Sequence, residues 1–508
     1  MYLIGSDIGT SGTKTVLFDE NGKTIASVTS EYPLYQPKNG WAEQQPEDWY
    51  RAVCESIKGV LAKSGVSPEA VAGVGLSGQM HGLVMLDEND RVIRPSIIWC
   101  DQRTGAAAAE LTELVGADKL ISITANPAMT GFTASKILWV KNNEPENFEK
   151  CRKIMLPKDY IRYMLTGEFA TEVSDASGMQ LMDVPGRCWS DYVLEKVGIE
   201  RSMLGKLYES CEVTGKITSR ASAECGLKEG TIVVGGAGDQ AAGGVGNGIV
   251  REGILSATVG TSGVVFAHTD DISIDPKGRV HTLCHAVPGA WHIMGVTQSA
   301  GLSFQWIRDN IFSYEKNTAI EMGMDPNALL DRICERIPAG AEGLIWLPYL
   351  MGERTPHLDP DCRGVFFGLS GIHTKAHMLR AVMEGVAFSL TDCVNIIRGM
   401  TGKEPERIYA SGGGGNSPLW RQMLADSFGT TVSRNNSKEG GALGVAILAG
   451  VGAGIYDSVP SACENLIALR DETPVVPENV DLYAKYYKLY DKLYDDLKDS
   501  YKILAGLI

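Results

Sequence analysis

Two stretches of the chain carry the same chemistry. Near the start, Leu3 and Ile4 lead through Asp7 into Gly9-Thr10-Ser11-Gly12, and Val16, Leu17 and Phe18 follow. Much later, Leu255 to Val259 lead into Gly260-Thr261-Ser262-Gly263, and Val264, Val265 and Phe266 follow. Each reads as strand, glycine turn, strand. A turn with two glycines and two hydroxyls can aim several backbone N–H groups at one point, a nest for anionic oxygens and for phosphate above all. One such turn is also what any hairpin needs. Its repetition, once per half, points to a duplicated fold whose halves grip one polyphosphate in a cleft. Asp7 stands just before the first turn, within reach of a cation or water on that phosphate, and Lys14 just after it.

A third site follows the buried strand Thr231 to Val234. Gly235-Gly236-Ala237-Gly238 deliver Asp239 and Gln240. Rigid backbone of this kind can set a carboxylate in a cleft; Asp239 as a helix N-cap is the competing reading. Two polar clusters sit at strand ends, where open α/β sheets bind ligands: Gly78-Gln79-Met80-His81-Gly82 after Val71 to Ser77, and Trp99 to Arg103 after Ile97-Ile98. Solvated loops have the same composition. Four glycines, Gly412 to Gly415, lie between a strand and a helix and allow close approach to a flat ligand or a phosphate.

The elements that must position these groups are α/β in pattern. Apolar spacing predicts helices over Glu43 to Ala62, Ala134 to Asn142, Lys158 to Leu165 and Thr374 to Met400, with another starting at Gly301. Strands are predicted near Thr171 to Asp183 and over Gly343 to Tyr349. Gly440 to Tyr456 is too short and glycine-rich for a membrane span, which needs about 20 apolar residues, and reads as a buried, closely packed helix. Beyond Pro477, Tyr483, Tyr487, Tyr490 and Tyr494 form one helical stripe, a packing face. At 508 residues the chain divides into 1–250, 251–470 and a helical tail 471–508. A net charge of −15 with no basic block argues against nucleic acid or an anionic membrane as partner. Eleven cysteines without a CxxC pair fit reduced thiols, and no signal peptide is visible, so a cytoplasmic protein is expected.

With these residues in hand, the sequence resembles the FGGY family of carbohydrate kinases. The marks are DIGTSGTK (7–14), GQMHG (78–82), WCDQR (99–103), LPKDY (156–160), GGAGDQAAGGVG (235–246), VGTSG (259–263), GERTPH (352–357), SGGGGNS (411–417) and EGGALG (439–444). GQMHG, LPKDY with TGEFATEVSDASG (166–178), and GERTPH look most like the members that phosphorylate D-xylulose; a kinase for gluconate, ribulose or glycerol is the alternative. The resemblance implies two actin-like/ribonuclease H-like ATPase domains with a central cleft, ATP and Mg²⁺ as cofactors, and a small sugar as partner, with a homodimer left open. It implies Asp239 as catalytic base and Asp7 as the carboxylate near Mg²⁺. Thr10, Ser11 and Lys14 match the first phosphate hairpin, Gly260 and Thr261 the second; Gly301, Gln305 and Gly414 match nucleotide contacts. Met80, His81 and Gln240, with Asp239, match the sugar site. Two positions depart from the family pattern: Pro418 replaces an adenine-contacting asparagine, and Gln240 replaces asparagine. A non-enzymatic relative of the fold is disfavoured, because Asp239 and the Met80-His81 loop would serve no purpose there.

Overall fold

The computed structural model describes residues 1–507. Its first sheet is built from β1 (Tyr2–Ile8), β2 (Gly12–Asp19), β3 (Thr24–Glu31), β4 (Val71–Gly78), β5 (Val213–Lys216) and β6 (Ile232–Val234), with the short β7 (Ala237–Gly238) beside β4. The second is built from β8 (Ile254–Val259), β9 (Gly263–Thr269), β10 (His281–Cys284), β11 (Trp291–Thr297), β12 (Arg407–Ser411), β13 (Val432–Asn435) and β14 (Leu469–Thr473). The orders are β5-β6-β4-β1-β2-β3 and β10-β11-β9-β8-β12-β13-β14.

The two sheets repeat one plan. In each, a hairpin (β1-β2, β8-β9) pairs on one side with a third antiparallel strand (β3, β11). On the other side come two parallel strands (β4 and β6, β12 and β13) and an antiparallel edge (β5, β14). The repeated turn motif is therefore the hairpin of a repeated domain. The central strands read as continuous apolar runs because both faces are covered. Ile4, Leu17 and Val74 enter a core shared with Trp49, Val53 and Ile57, whereas Leu3, Val16 and Phe18 enter another shared with Leu443, Ala446 and Ile447.

The helices that bear on the site are α1 (Pro46–Ser64), α2 (Pro157–Thr166), α3 (Val173–Ala176), α4 (Asp239–Gly246), α5 (Gly301–Asn310), α6 (Lys375–Thr401), α7 (Gly412–Asn416), α8 (Pro418–Phe428), α9 (Gly440–Gly452) and α10 (Pro477–Ala505). Helix α9 is the buried, closely packed helix expected from its composition, but it lies on the first sheet. A Cβ at Gly5 or Gly75 would stand 1.9 Å from the carbonyl oxygen of Ala442 or Val445. Against α4 the fit is as tight: a Cβ on Gly246 would lie 1.8 Å from the Gly440 oxygen, and one on Gly444 would lie 1.9 Å from that of Ala242. Glycine is required at all four positions because backbone meets backbone. On its other side, α4 meets the second half through Gly244, whose Cβ would strike the Phe266 ring at 2.7 Å.

The chain over 440–452, assigned by position to the second half, packs on the first sheet. Two expectations need correction. Residues 471–473 are not part of the tail but of edge strand β14; the tail helix begins at Pro477. The 171–183 stretch is strand only near its ends, at Ala170–Glu172 and Met182–Asp183. Between them Glu172 caps α3, its carboxylate accepting from the Ser174 and Asp175 amides. The tyrosine stripe is a packing face as predicted: the Tyr483 hydroxyl donates to Glu384 at 2.8 Å and that of Tyr487 to Asp392 at 2.6 Å, both on α6. Among the described residues no helix is long and apolar enough to cross a membrane.

Candidate active site in the cleft

Strands β1, β4 and β7 end side by side. Asp7 pairs with Ser77, and Ser77 with Ala237, so the Asp7 and Asp239 carboxylates leave the carboxyl ends of strands flanking β4. The Ser77 hydroxyl donates to Asp7 Oδ1 at 2.8 Å. Burial raises the Asp7 pKa, with Ser77 and the charge of Lys14 opposing. Burial and the neighbouring Asp7 charge push Asp239 up to about 7, while the amide groups of Gln240 pull the other way. A carboxylate poised near neutral pH is suited to taking a proton from a hydroxyl. Asp239 is the first residue of α4 and not its N-cap, which is Gly238.

The sugar-loop candidates lie against this pair. Gly238 packs so closely on Met80 that a Cβ there would stand 2.9 Å from the Met80 side chain. His81 adopts a left-handed backbone, φ 67°, strained for a residue with a side chain. Its carbonyl is held by the Lys136 ammonium at 2.7 Å and the Thr133 hydroxyl at 3.1 Å. The imidazole stacks on Phe132, with ring centroids 4.3 Å apart, and its Nδ1 lies 2.9 Å from the Gly178 oxygen. Burial holds its pKa down to about 3, so the ring is neutral. With Nδ1–H donating to Gly178, Nε2 is left as an acceptor. Behind this wall Lys158 is buried among Asp159 at 2.9 Å, Glu172 at 3.3 Å and Asp175 at 3.5 Å. The α3 segment touches the Asp239 turn directly, the Ser174 hydroxyl accepting from the Gly238 amide at 3.1 Å.

The two hairpin turns are built alike. Gly9 N–H donates to Gly12 O at 3.1 Å, and Gly260 N–H to Ser262 O at 3.0 Å. The amides of Thr10, Ser11, Thr261 and Ser262 have no acceptor among the described residues, so each turn presents free donors. Around the first turn, Trp99 Nε1 donates to Thr10 Oγ1 at 2.9 Å and Gln44 Nε2 to Thr10 O at 2.7 Å. Lys14 is ion-paired with Glu439, which precedes α9. The first turn of α9 thus overhangs Asp7, a Cβ on Gly441 standing 3.2 Å from Asp7 Oδ2.

The second turn opens into a cavity of about 480 Å³ that Gly260, Thr261, Gly301, Gln305 and Gly414 all line. Gly301 sits there because α5 starts against the turn, its amide donating to Gly260 O at 2.7 Å; a Cβ would lie 2.3 Å from that oxygen. Gly414 packs on Val259 so closely that a Cβ there would lie 2.5 Å from its Cγ1. Pro418 opens α8 at the cavity rim, where Ser417 caps the helix.

The predicted residues therefore fall into two groups that meet at the cleft. Asp7, Thr10, Ser11, Lys14, Met80, His81, Asp239 and Gln240 cluster on the first half, and Gly260, Thr261, Gly301, Gln305 and Gly414 on the second. Ser77, Glu439, Phe132 and Lys136 were not singled out. Ser77 adjoins a motif that was and Glu439 opens the EGGALG motif, but Phe132 and Lys136 carry no local signal, since only the fold brings them to His81.

Comparison with known proteins identifies the two halves. Residues 2–246 match the N-terminal domain of the FGGY family of carbohydrate kinases and residues 255–453 its C-terminal domain. A xylulose kinase of Bacillus subtilis is 39% identical over 490 residues, covering 96% of this chain and 95% of that protein. A gluconokinase of the same organism is 34% identical, covering 93% and 92%. The structure of ligand-bound xylulose kinase from Lactobacillus acidophilus superposes with a TM-score of 0.92 at 30% identity, covering 99% of both chains. On these grounds, the chain belongs to the FGGY family of carbohydrate kinases, with the two-domain actin-like/ribonuclease H-like architecture of that family, and is an ATP-using sugar phosphotransferase.

Proposed function

We infer that the protein transfers the γ-phosphoryl group of ATP to D-xylulose, giving D-xylulose 5-phosphate, and works in the cytoplasm. What supports the chemistry is the presence of two donor-rich turns, one per half, together with a buried carboxylate of raised pKa beside Asp7 and the sugar loop. The choice of sugar is supported by the xylulose kinases among the relatives. The compartment is supported by eleven free cysteines.

In this reading Asp239 accepts the proton of the sugar's terminal hydroxyl as its oxygen attacks phosphorus. Met80, His81 and Gln240 orient the sugar, His81 Nε2 accepting from a hydroxyl. Thr10, Ser11, Gly260 and Thr261 hold the phosphates through backbone N–H groups, with Lys14 beside them. Gly301, Gln305 and Gly414 shape the nucleotide cavity. Phosphoryl transfer asks for in-line positioning and charge neutralisation more than for covalent help. Mg²⁺, when bound, supplies charge neutralisation on the phosphates. Asp7 fits as its protein ligand: Oδ1 is taken by Ser77, whereas Oδ2 faces the cleft side of Gly441. No cluster of three or more ligating side chains exists among the described residues, which suits a cation held by one or two carboxylates, water and phosphate.

The test is an ADP-coupled assay across D-xylulose, L-ribulose, D-gluconate and glycerol. D-Xylulose is expected to give the highest kcat/KM, by about tenfold or more, the usual margin when buried polar groups read a hydroxyl pattern. A higher value for D-gluconate, the acceptor named for one relative, would overturn the sugar assignment and leave the kinase chemistry standing.

A further inference from the structure

The loop Glu353 to Thr355 comes from the second half but is fastened at the boundary between the phosphate turn and the sugar wall. Buried Glu353 accepts from the Gln298 amide and from the Arg354 amide, each at 2.8 Å. The Thr355 amide donates to Val296 O at 2.9 Å and its hydroxyl to Arg279 O at 2.7 Å. Val296 and Thr297 end β11, and Thr297 pairs with Gly263, the last residue of the second phosphate turn. Arg279 leads into His281, which stands over Phe132 with ring centroids 5.7 Å apart; Phe132 in turn stacks on His81. Arg354 is thus held between the second turn and the imidazole wall of the sugar loop.

Its side chain has no counterpart there. Arg354 is half-buried, and its guanidinium makes no ion pair or side-chain hydrogen bond among the described residues and has only the charge of Glu353 in support. Its charge is felt by both His81 and His281. A half-buried guanidinium without a protein partner is free to take a ligand, and its five fixed donors match the oxygens of a phosphate. None of the roles given above to the two turns, Asp7 or Asp239 uses this cation.

We propose that Arg354 is a substrate-contacting residue donated by the second half, whose guanidinium hydrogen-bonds the phosphoryl oxygens as the group arrives on the sugar and then holds the phosphate of the product. This rests on the acceptor reading above. In the step concerned, the bond from the γ-phosphorus to the ADP oxygen breaks and the bond from that phosphorus to the sugar oxygen forms. The hydroxyl proton passes to Asp239, and Arg354 donates hydrogen bonds without changing its own protonation. Because the loop belongs to the second half and His81 to the first, the phosphorylated sugar would tie the two halves together.

The test is calorimetric titration of the intact protein with D-xylulose 5-phosphate and, separately, with D-xylulose, for wild type, Arg354→Gln and Arg354→Lys. Arg354→Gln is expected to weaken the phosphorylated sugar by about tenfold or more, the loss of a charge-assisted hydrogen-bonded pair, while leaving D-xylulose within about threefold. Arg354→Lys is expected to fall between, since it keeps the charge and loses the fork. Unchanged affinity for the phosphorylated sugar, or equal loss of both ligands, overturns the proposal. Should the Gln variant not fold, the Lys variant decides: no selective loss of the phosphorylated sugar overturns it. A wild type that binds neither ligand refutes the acceptor reading, and this assignment with it.

Discussion

In the proposed reading the chemistry of the site turns on a carboxylate whose cost of ionisation a second one raises. Asp7 and Asp239 leave neighbouring strand ends, and the charge of Asp7 adds to burial in lifting Asp239 to about 7. A general base works only when deprotonated, so kcat/KM for the sugar should rise with pH through about 7 and level off above it. Removing the Asp7 charge removes part of the lift. In Asp7→Asn the inflection in the residual activity should therefore move to lower pH, although the rate itself falls because the cation site is damaged. A pH profile of the variant checks this; an inflection that stays in place or moves up would mean the two carboxylates are not coupled.

At the scale of elements, the contact between α9 and the first sheet is a backbone-to-backbone fit that bears directly on the site. It brings Glu439 to Lys14 and Gly441 over Asp7, so it shapes the first phosphate turn from a segment more than 400 residues away in sequence. Gly75→Ala places a methyl group 1.9 Å from a helix carbonyl oxygen. Overpacking of this kind costs about 1–3 kcal/mol or more. Thermal unfolding should show a lower midpoint, and KM for ATP should rise as α9 is displaced; an unchanged midpoint would show that α9 can shift freely. The glycines of EGGALG were legible as signs of close packing, but their partner was not, because pairing α9 with β1 and β4 is a long-range choice that local spacing does not encode. The 171–183 stretch failed for a related reason. Thr171 and Val173 favour strand, yet Glu172 is drawn into a buried charge network with Lys158 and caps α3 instead. By contrast, the two glycine turns and the turn before Asp239 were legible residue by residue, since turn chemistry is local. GERTPH was legible as a motif, but the position of Arg354 came only from how Glu353 and Thr355 are fastened.

At the scale of the whole molecule, two copies of one sheet plan face each other across a cleft and are joined by α4 and α9. In the proposed reading each half contributes one phosphate turn, so ATP would be fully gripped only when the halves approach. Closure around the sugar would also exclude water and so limit wasteful hydrolysis by the Asp239 base. Small-angle scattering should show a smaller radius of gyration with D-xylulose and a non-hydrolysable ATP analogue together than with neither. An identical scattering curve in both states would contradict a closing cleft.

The central claim is that Asp239 readies the sugar oxygen beside phosphates held by other groups. It is tested most directly by measuring, in Asp239→Asn, the rate of phosphoryl transfer to D-xylulose together with the affinity for ATP. The account predicts a fall of about 10²–10⁴ in the rate, with nucleotide affinity within about twofold of wild type because the turns and α5 are untouched. Transfer at the wild-type rate would contradict it.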